Sequence, residues 1–578
     1  MTLGPRIVRR AGAVPAGWPP EMLPLLQRLY AARGVDDAQQ AQPRLSQLLS
    51  PALLSHIDAA TALLADAIAA GRRILVVGDF DCDGATACAV GVRGLRMLGA
   101  VDVLHAVPNR IVHGYGLSPA LVEELAPLQP DLLVTVDHGI ACHAGIAAAK
   151  ARGWTVLVTD HHLPGTQLPP ADAIVNPNLE RDGFPSKALA GVGVIFYVLL
   201  ALRAVLRERG ALNGSEPDLA ELLDLVAVGT VADLVPLDAN NRALVLAGLR
   251  RLRQGKGCVG LRALIQACGR DEARLAASDI GYALAPRLNA AGRLEDMALG
   301  IELLLCEDAD RAREIAGTLD ALNAERRAMQ QSMTSEAEAA VSEALSLARG
   351  DSPLAVCLFE PHWHPGVIGL VASKLKERLH RPVVAFAPAE PDSDQLRGSA
   401  RSIPGVHLRD LLAMVDARHP GLIERFGGHA MAAGLSLHRA RLQDFESALH
   451  AQAARVIEPA LLHAELVSDG ELAPHELDHR HAEALRFAGP WGQAFPEPLF
   501  DGEFEVLQWK LLKERHLRYT LRLAGLAAPL NAIHFDGWSG REPVRRVRIA
   551  YRLVADDYRG GDSVQLIVEH CEPSAIAD

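Results

Sequence analysis

From about residue 70 the chain alternates short apolar runs with longer amphipathic stretches. The runs Ile74–Val77, Leu132–Val136, Thr155–Thr159 and Ala173–Val175 are rich in branched aliphatic residues and show no polar alternation. Runs of that kind predict strands buried on both faces, and helical periods between them predict βαβ units and a parallel sheet. Residues 1–46 are Pro-rich and then helical and amphipathic, an N-terminal cap segment. Helical periods dominate from about 190 to 345. Residues 301–347 hold almost no Gly or Pro, which predicts a long connecting helix interrupted near Gly317. The pattern returns to mixed α/β with strands at 354–359 and 382–386. The end of the chain reads as β, with runs at 519–523 and 546–553 punctuated by Gly and Asp, and predicts a small barrel. The expected architecture is α/β: a cap at 1–46, a parallel-sheet domain at 47–300, a helix at 301–347, a smaller α/β domain at 348–458 and a barrel at 459–578.

Composition narrows the partners. With 578 residues, 49% of them hydrophobic, the chain can bury several cores, and its formal net charge is −12. A protein that bound nucleic acid over its whole surface would be basic, so any contact with a polyanion must use a local groove. The eight cysteines form no CxxC pair, which argues against a disulfide framework or a structural zinc site. The N-terminus lacks the apolar core of a signal peptide, and no apolar segment is long enough for a membrane span. A soluble, cytoplasmic chain with no membrane partner is the expectation.

The chemistry gathers where strands end. Ligands of open parallel sheets bind at the carboxyl ends of the strands. The first strand delivers Asp79, Asp81 and Asp83, the second Asp137, and the third Asp160, His161 and His162. Asp233 follows in DLVAVGTVADLVPL. One Asp after a strand is ordinarily a helix cap or turn residue. An EF-hand loop is excluded because Val90 stands where its last Glu would be. Several acids at one sheet edge repel one another unless cations join them. Carboxylates with imidazole suit Mg²⁺ or Mn²⁺, and two such ions catalyse in-line phosphoryl displacement.

GDFDCDG, TVDHG, TDHH and GTVAD resemble the four core motifs of the DHH phosphoesterase superfamily. PNRIVHGYGLS, NPNLERDGFPSKALAGVGV, APRLNAAGRL, WHPGVIGLVASKLKERLHRPVVAF, GSARSIPG, FGGHAMAAG and GPWGQAFPEPLF resemble the RecJ family within it, single-strand-specific 5′→3′ DNA exonucleases. The resemblance runs from about 47 to 570. It implies a DHH catalytic domain, a DHHA1-type accessory domain and an OB-fold barrel that binds single strands. It also implies Asp81 and Asp83 on one metal each, Asp137 bridging, and His161 and Asp233 completing one metal's shell. Asp79 would ligate or support the other metal, His162 would stand near the scissile phosphate, and Asp160 would orient the His pair. Arg287 would hold that phosphate, with Arg110 as a further contact, and Ser399 and Arg401 would recognise a terminal 5′ phosphate. His364 and His429 would face substrate from the accessory domain.

Residues 501–560 hold eleven Lys or Arg against eight acids. There Trp509, Lys510, Lys513, Arg515, His516, Arg518 and Tyr519 mix cations with rings, a combination suited to phosphates and stacked bases. Three positions depart from the family pattern: His138, Pro365 and the run Asp556-Asp557-Tyr558. The resemblance further implies DNA repair and recombination as the setting, a single-strand-binding protein and a RecQ-type helicase as partners, and a monomer. Two other readings stay open: a DHH enzyme acting on short oligonucleotides or cyclic dinucleotides, and a non-catalytic single-strand-binding scaffold.

Overall fold

The computed structural model describes residues 5–574 apart from 13, 14, 16, 111, 213–215, 348–352 and 557–560. Strand β1 (Arg6–Arg9) opens it, within the cap segment read as helical; the helices Pro24–Ala31 and Ala38–Ala41 follow. Then β2 (Ile74–Val77), β3 (Val103–Ala106), β4 (Leu132–Val136), β5 (Thr155–Thr159) and β6 (Ala173–Val175) form a parallel sheet in the order β3-β2-β4-β5-β6. The central strands β2 and β4 are buried at every position, as their unbroken aliphatic sequences require. Four strands match the four apolar runs. Strand β3 has no counterpart among them. It is an edge strand, partly exposed, and its His105 interrupts the apolar signal. The chain leaves β2 toward β3 and returns to place β4 on the other side. The crevice between the carboxyl ends of β2 and β4 is therefore the switch point where such sheets bind ligands.

The helix Ala309–Leu347 runs unbroken through Gly317, contrary to the expected interruption. A glycine inside a helix costs about 1 kcal/mol. Packing outweighs that: Ile315 and Leu319 are buried in the first domain's core, while Met333 and Ala337 are buried in that of the second. In the second domain β7 (Val356–Phe359), β8 (Val383–Pro388), β9 (Gln395–Arg401), β10 (Arg425–Gly428) and β11 (Ala432–His438) pair in the order β10-β11-β9-β8-β7, with only β7 and β8 parallel. The last three, rich in Gly, Arg and Ser, carry little strand signal.

Strand β12 (Glu465–Ser468) pairs in parallel with β1. After the helix His479–Ala488, β13 (Phe500–Leu512), β14 (His516–Arg522), β15 (Leu530–His534), β16 (Arg546–Ala555) and β17 (Val564–Pro573) close a barrel in the order β13-β14-β15-β17-β16, the OB arrangement. Asp501 pins the N-terminal strand to this barrel. Its buried carboxylate accepts from Arg9 Nε at 3.0 Å, Ser468 Oγ at 2.6 Å and Arg548 Nη2 at 2.8 Å. Burial alone would raise its pKa, but the bonds from Arg9, Ser468 and Arg548 hold it at about 2, below the ordinary 3.8. An acid with a depressed pKa adds stability above its ordinary value and loses it as pH falls through the lowered one. Asp501→Asn is expected to cost roughly 2 kcal/mol at pH 7, read by denaturant unfolding. The difference from wild type should shrink between pH 4 and pH 2.

Candidate metal centre and active site

Residues 78–81 connect β2 to the helix Cys82–Met97, whose N-cap is Asp81: its Oδ1 accepts from Gly84 N–H at 3.1 Å. Asp79 lies just before that cap and Asp83 in the first turn, so one tight connection sets three acids at the sheet edge. Only glycine fits at 84, where a Cβ would lie 2.5 Å from the Asp79 backbone. Asp83 accepts from Gly191 N–H at 2.6 Å and Val192 N–H at 3.1 Å, the first turn of helix Gly191–Glu208, whose positive end favours an anion. Asp137, just past β4, has φ 65°, a left-handed conformation that Asp tolerates better than most residues. His138 is buried behind it and donates from Nε2 to Val77 O at 3.0 Å, tying the ends of β2 and β4 together.

At the end of β5, Asp160 Oδ1 accepts from the N–H groups of His161 (2.7 Å) and His162 (3.0 Å) and lies 2.8 Å from His162 Nδ1. Its Oδ2 accepts from Ile140 N–H at 2.9 Å. His161 Nε2 lies 3.1 Å from Asp137 Oδ1 and 3.5 Å from Asp233 Oδ2; Asp233 caps the C-terminal end of helix Leu223–Ala232. The donor atoms fall into three groups, each within 4.8 Å: Asp79 with Asp81 and Asp137, Asp83 with His161 and Asp233, and Asp137 with His161 and His162. Asp79 Oδ1, Asp137 Oδ1, His161 Nε2 and Asp233 Oδ2 are buried without hydrogen-bond partners. Orphaned acceptors are costly inside a protein. Four of them converging, on hard oxygen and imidazole donors, fit divalent cations.

Burial, with the charge of Asp81, pushes Asp79 up to about 8 and Asp83 up to about 7; burial and Asp83 push Asp137 and Asp233 well above the carboxylate range. Burial, with His162, lowers His161 to about 4, leaving a neutral imidazole able to ligate. Burial also opposes charge on His162, but its bond to Asp160 prevails and raises it to about 9. Tyr115 Oη approaches His162 Nε2 to 3.3 Å, Phe80 meets the Tyr115 ring edge-on, and the Arg110 guanidinium sits 4.0 Å over Phe80. Sequence reasoning passed over Tyr115 and Phe80, although both lie inside quoted motifs.

On the Asp79–Asp81 side the cations gather. The pKa of Arg293 is lowered to about 9 by burial and by Arg110, Arg326 and Arg401, against the pull of Asp81. The motif APRLNAAGR offers two arginines, and Arg287, the expected phosphate ligand, donates instead to Asp320 Oδ1 at 2.8 Å and Ala283 O. Arg293, at its end, stands with Arg110 and Arg401 and donates to Gly366 O at 3.2 Å across the domain boundary. Ser399 and Arg401 lie on β9, with Arg401 Nη1 3.1 Å from Ser399 Oγ. Gly369, at the start of helix Ile368–Leu379, packs on both. His364 accepts from Gly366 N–H at 3.1 Å, in the turn against Arg293. His429 sits between β10 and β11; burial and then the charge of His162 lower its pKa.

In the barrel, Lys510, Lys513, Arg515 and Arg518 are exposed, with Lys510 opposite Arg518. The rings beside them do not share that face. Tyr519 is 2% exposed in the barrel core, and Trp509 packs on Trp538 at 5.9 Å. Among the described residues of the barrel, Phe535 is a ring that stands well into solvent, 57% exposed. Asp556 is buried; Asp557 and Tyr558 lie outside the described residues. On the Asp233 side a cavity of about 750 Å³ opens between the sheet domain and the barrel, with Leu234, Tyr282, Arg253, Arg486 and Arg552 in its wall.

Sheet, switch point and acid–histidine cluster define a DHH-type phosphoesterase. The DHH family N-terminal domain matches residues 73–230, the DHHA1 domain 351–455 and the RecJ OB domain 468–570. The single-stranded-DNA-specific exonucleases RecJ of Dickeya dadantii and Escherichia coli are 52% and 49% identical, each over 96% of this chain and 97% of their own. The crystal structure of RecJ from Thermus thermophilus in complex with Mn²⁺ superposes with a TM-score of 0.77 at 32% identity, covering 96% of this chain and 77% of that one. The chain belongs to the RecJ family.

Acids with raised pKa values make the metal-free fold lose stability as pH rises from about 4 to about 8, and bound cations remove that loss. Mn²⁺ is therefore expected to raise the thermal midpoint more at pH 8 than at pH 6, measured by calorimetry. An equal or smaller shift at pH 8 would contradict it.

Proposed function

We propose that this protein removes nucleotides from the 5′ end of single-stranded DNA by two-metal phosphodiester hydrolysis. The observation that carries the reading is the set of converging orphaned donors, Asp79, Asp137, His161 and Asp233, beside a cluster of arginines. One ion, Mn²⁺ or Mg²⁺, would be held by Asp79, Asp81 and Asp137, the other by Asp83, His161 and Asp233, with Asp137 between them. When bound, the cations supply the positive charge that acidifies the attacking water and stabilises the transferring phosphoryl group. His162, kept protonated by Asp160, donates a proton to the leaving oxygen. Tyr115 braces that imidazole.

Polarity follows from asymmetry. Arg110, Arg293, Ser399 and Arg401 hold a terminal phosphate on the Asp79–Asp81 side, with His364 and His429 around the same cleft, while Arg287 is held by Asp320. The rest of the strand leaves on the Asp233 side, where Leu234 and Tyr282 are 70% and 80% exposed. Lys510, Lys513, Arg515 and Arg518 add phosphate contacts on the barrel, with Phe535 for a base. We place the protein in the cytoplasm, in DNA repair and recombination, as a monomer working with a single-strand-binding protein and a RecQ-type helicase. No single helix among the described residues is long and apolar enough to cross a membrane.

Single-stranded DNA labelled at either end, digested with Mn²⁺ beside duplex controls, tests the reading. A 5′ label should appear at once as mononucleotide, and a 3′ label should persist on shortening strands. Asp137→Ala should abolish hydrolysis while circular dichroism stays unchanged. Release from the 3′ end, or activity retained in Asp137→Ala, would overturn it.

A further inference from the structure

The first turn of helix Ala239–Arg253 buries three polar side chains in succession, Asn240, Asn241 and Arg242. Such burial is costly unless partners compensate it, and the partners lie in widely separated segments. Asn240 turns away from the metal centre: its Oδ1 accepts from Tyr197 Oη at 2.7 Å and from Leu49 N–H at 3.2 Å. Asn241 turns toward it, and its Nδ2 donates to Ala188 O at 2.6 Å and to Pro236 O at 3.0 Å. Ala188 lies in the turn leading to Gly191, whose N–H holds Asp83. Pro236 lies three residues after Asp233. One side-chain amide thus ties the support of one acid to the loop that carries another.

Arg242 extends the connection. It donates from Nη1 to Leu237 O at 2.9 Å and from Nη2 to Gln40 O at 2.7 Å, and its guanidinium lies 4.2 Å over the Phe495 ring. Leu237 N–H in turn donates to Gln493 O at 2.8 Å, and Gly492 packs so closely that a Cβ there would lie 2.7 Å from Leu237 Cδ1. Residues 233–237 are thereby clamped between the helix and the segment that precedes the barrel. The loop needs an external clamp: Leu234 is left-handed at φ 61°, and its own side chain is mostly exposed.

We propose that Asn241 and Arg242 are positioning residues for the metal centre. They hold 233–237 so that Asp233 meets Asp83 and His161. Through Phe495 they make that setting depend on the docking of the segment leading into the barrel. The inference rests on the two-metal reading above.

Titration calorimetry with Mn²⁺ alone, on full-length wild type and on Asn241→Ser, Phe495→Leu and Asn240→Ser, tests it beside the thermal midpoint of each. The dissociation constant for Mn²⁺ should rise about tenfold in Asn241→Ser, as for other residues that orient metal ligands. It should rise by less in Phe495→Leu. Asn240→Ser, equally buried but facing away, should lower the midpoint and leave Mn²⁺ affinity alone. Excess Mn²⁺ should return hydrolysis by Asn241→Ser toward the wild-type rate. Unchanged Mn²⁺ affinity in both Asn241→Ser and Phe495→Leu would overturn the proposal, as would an equal loss in Asn240→Ser. If Asn241→Ser does not fold, Phe495→Leu decides. A wild type that binds no Mn²⁺ would instead overturn the metal reading itself.

Discussion

Asp79, Asp83 and Asp137 are buried within a few ångströms of further acids, and their mutual repulsion is the constraint around which the sheet domain is arranged. Two like charges 4 Å apart repel by about 4 kcal/mol at the effective dielectric of a protein surface, and more when buried. Helix Gly191–Glu208 compensates part of this by offering two N–H groups to Asp83. His161 stays neutral, and the raised carboxyl pKa values record burial first and the remaining repulsion second. Divalent cations remove that remainder, so metal affinity and protein stability are two faces of one electrostatic problem.

The same arrangement makes the site asymmetric. Cations collect beyond the Asp79–Asp81 edge, where Arg293, Arg110 and Arg401 converge from two domains. Beyond Asp233 the walls are apolar and aromatic, with scattered arginines, and the cavity continues to the barrel. Under the proposed function, a phosphate at the end of a strand would be drawn to the first side and a run of bases accommodated on the second. Asp160 performs a separate task. It fixes His162 through two contacts, with the backbone N–H and with Nδ1, and a bond from Ile140 N–H steadies the carboxylate.

The buried strands and the acids that end them were legible in the sequence because both are local signals. Unbroken aliphatic runs mark β2, β4, β5 and β6, and the acids follow them within a few residues. Edge strand β3 and the Gly-rich β9, β10 and β11 were not, since pairing partners distant in the chain decide them. Side-chain direction was equally hidden. Arg287 and Arg293 share one motif, and only the packing of helix Ala285–Leu294 against the long helix sends the first to Asp320. Tyr519 carries the composition of a stacking residue, yet the strand's alternation turns it into the core while Arg518 faces out. The supporting role of Asn241 left no local trace at all, because its partners lie 53 and 5 residues away.

Crystals grown with Mn²⁺ and measured at the manganese absorption edge test the central claim most directly. The account predicts two anomalous peaks, one against Asp79, Asp81 and Asp137 and the other against Asp83, His161 and Asp233, with Asp137 touching both. A single peak, or peaks elsewhere with the four buried donors still unligated, would contradict it.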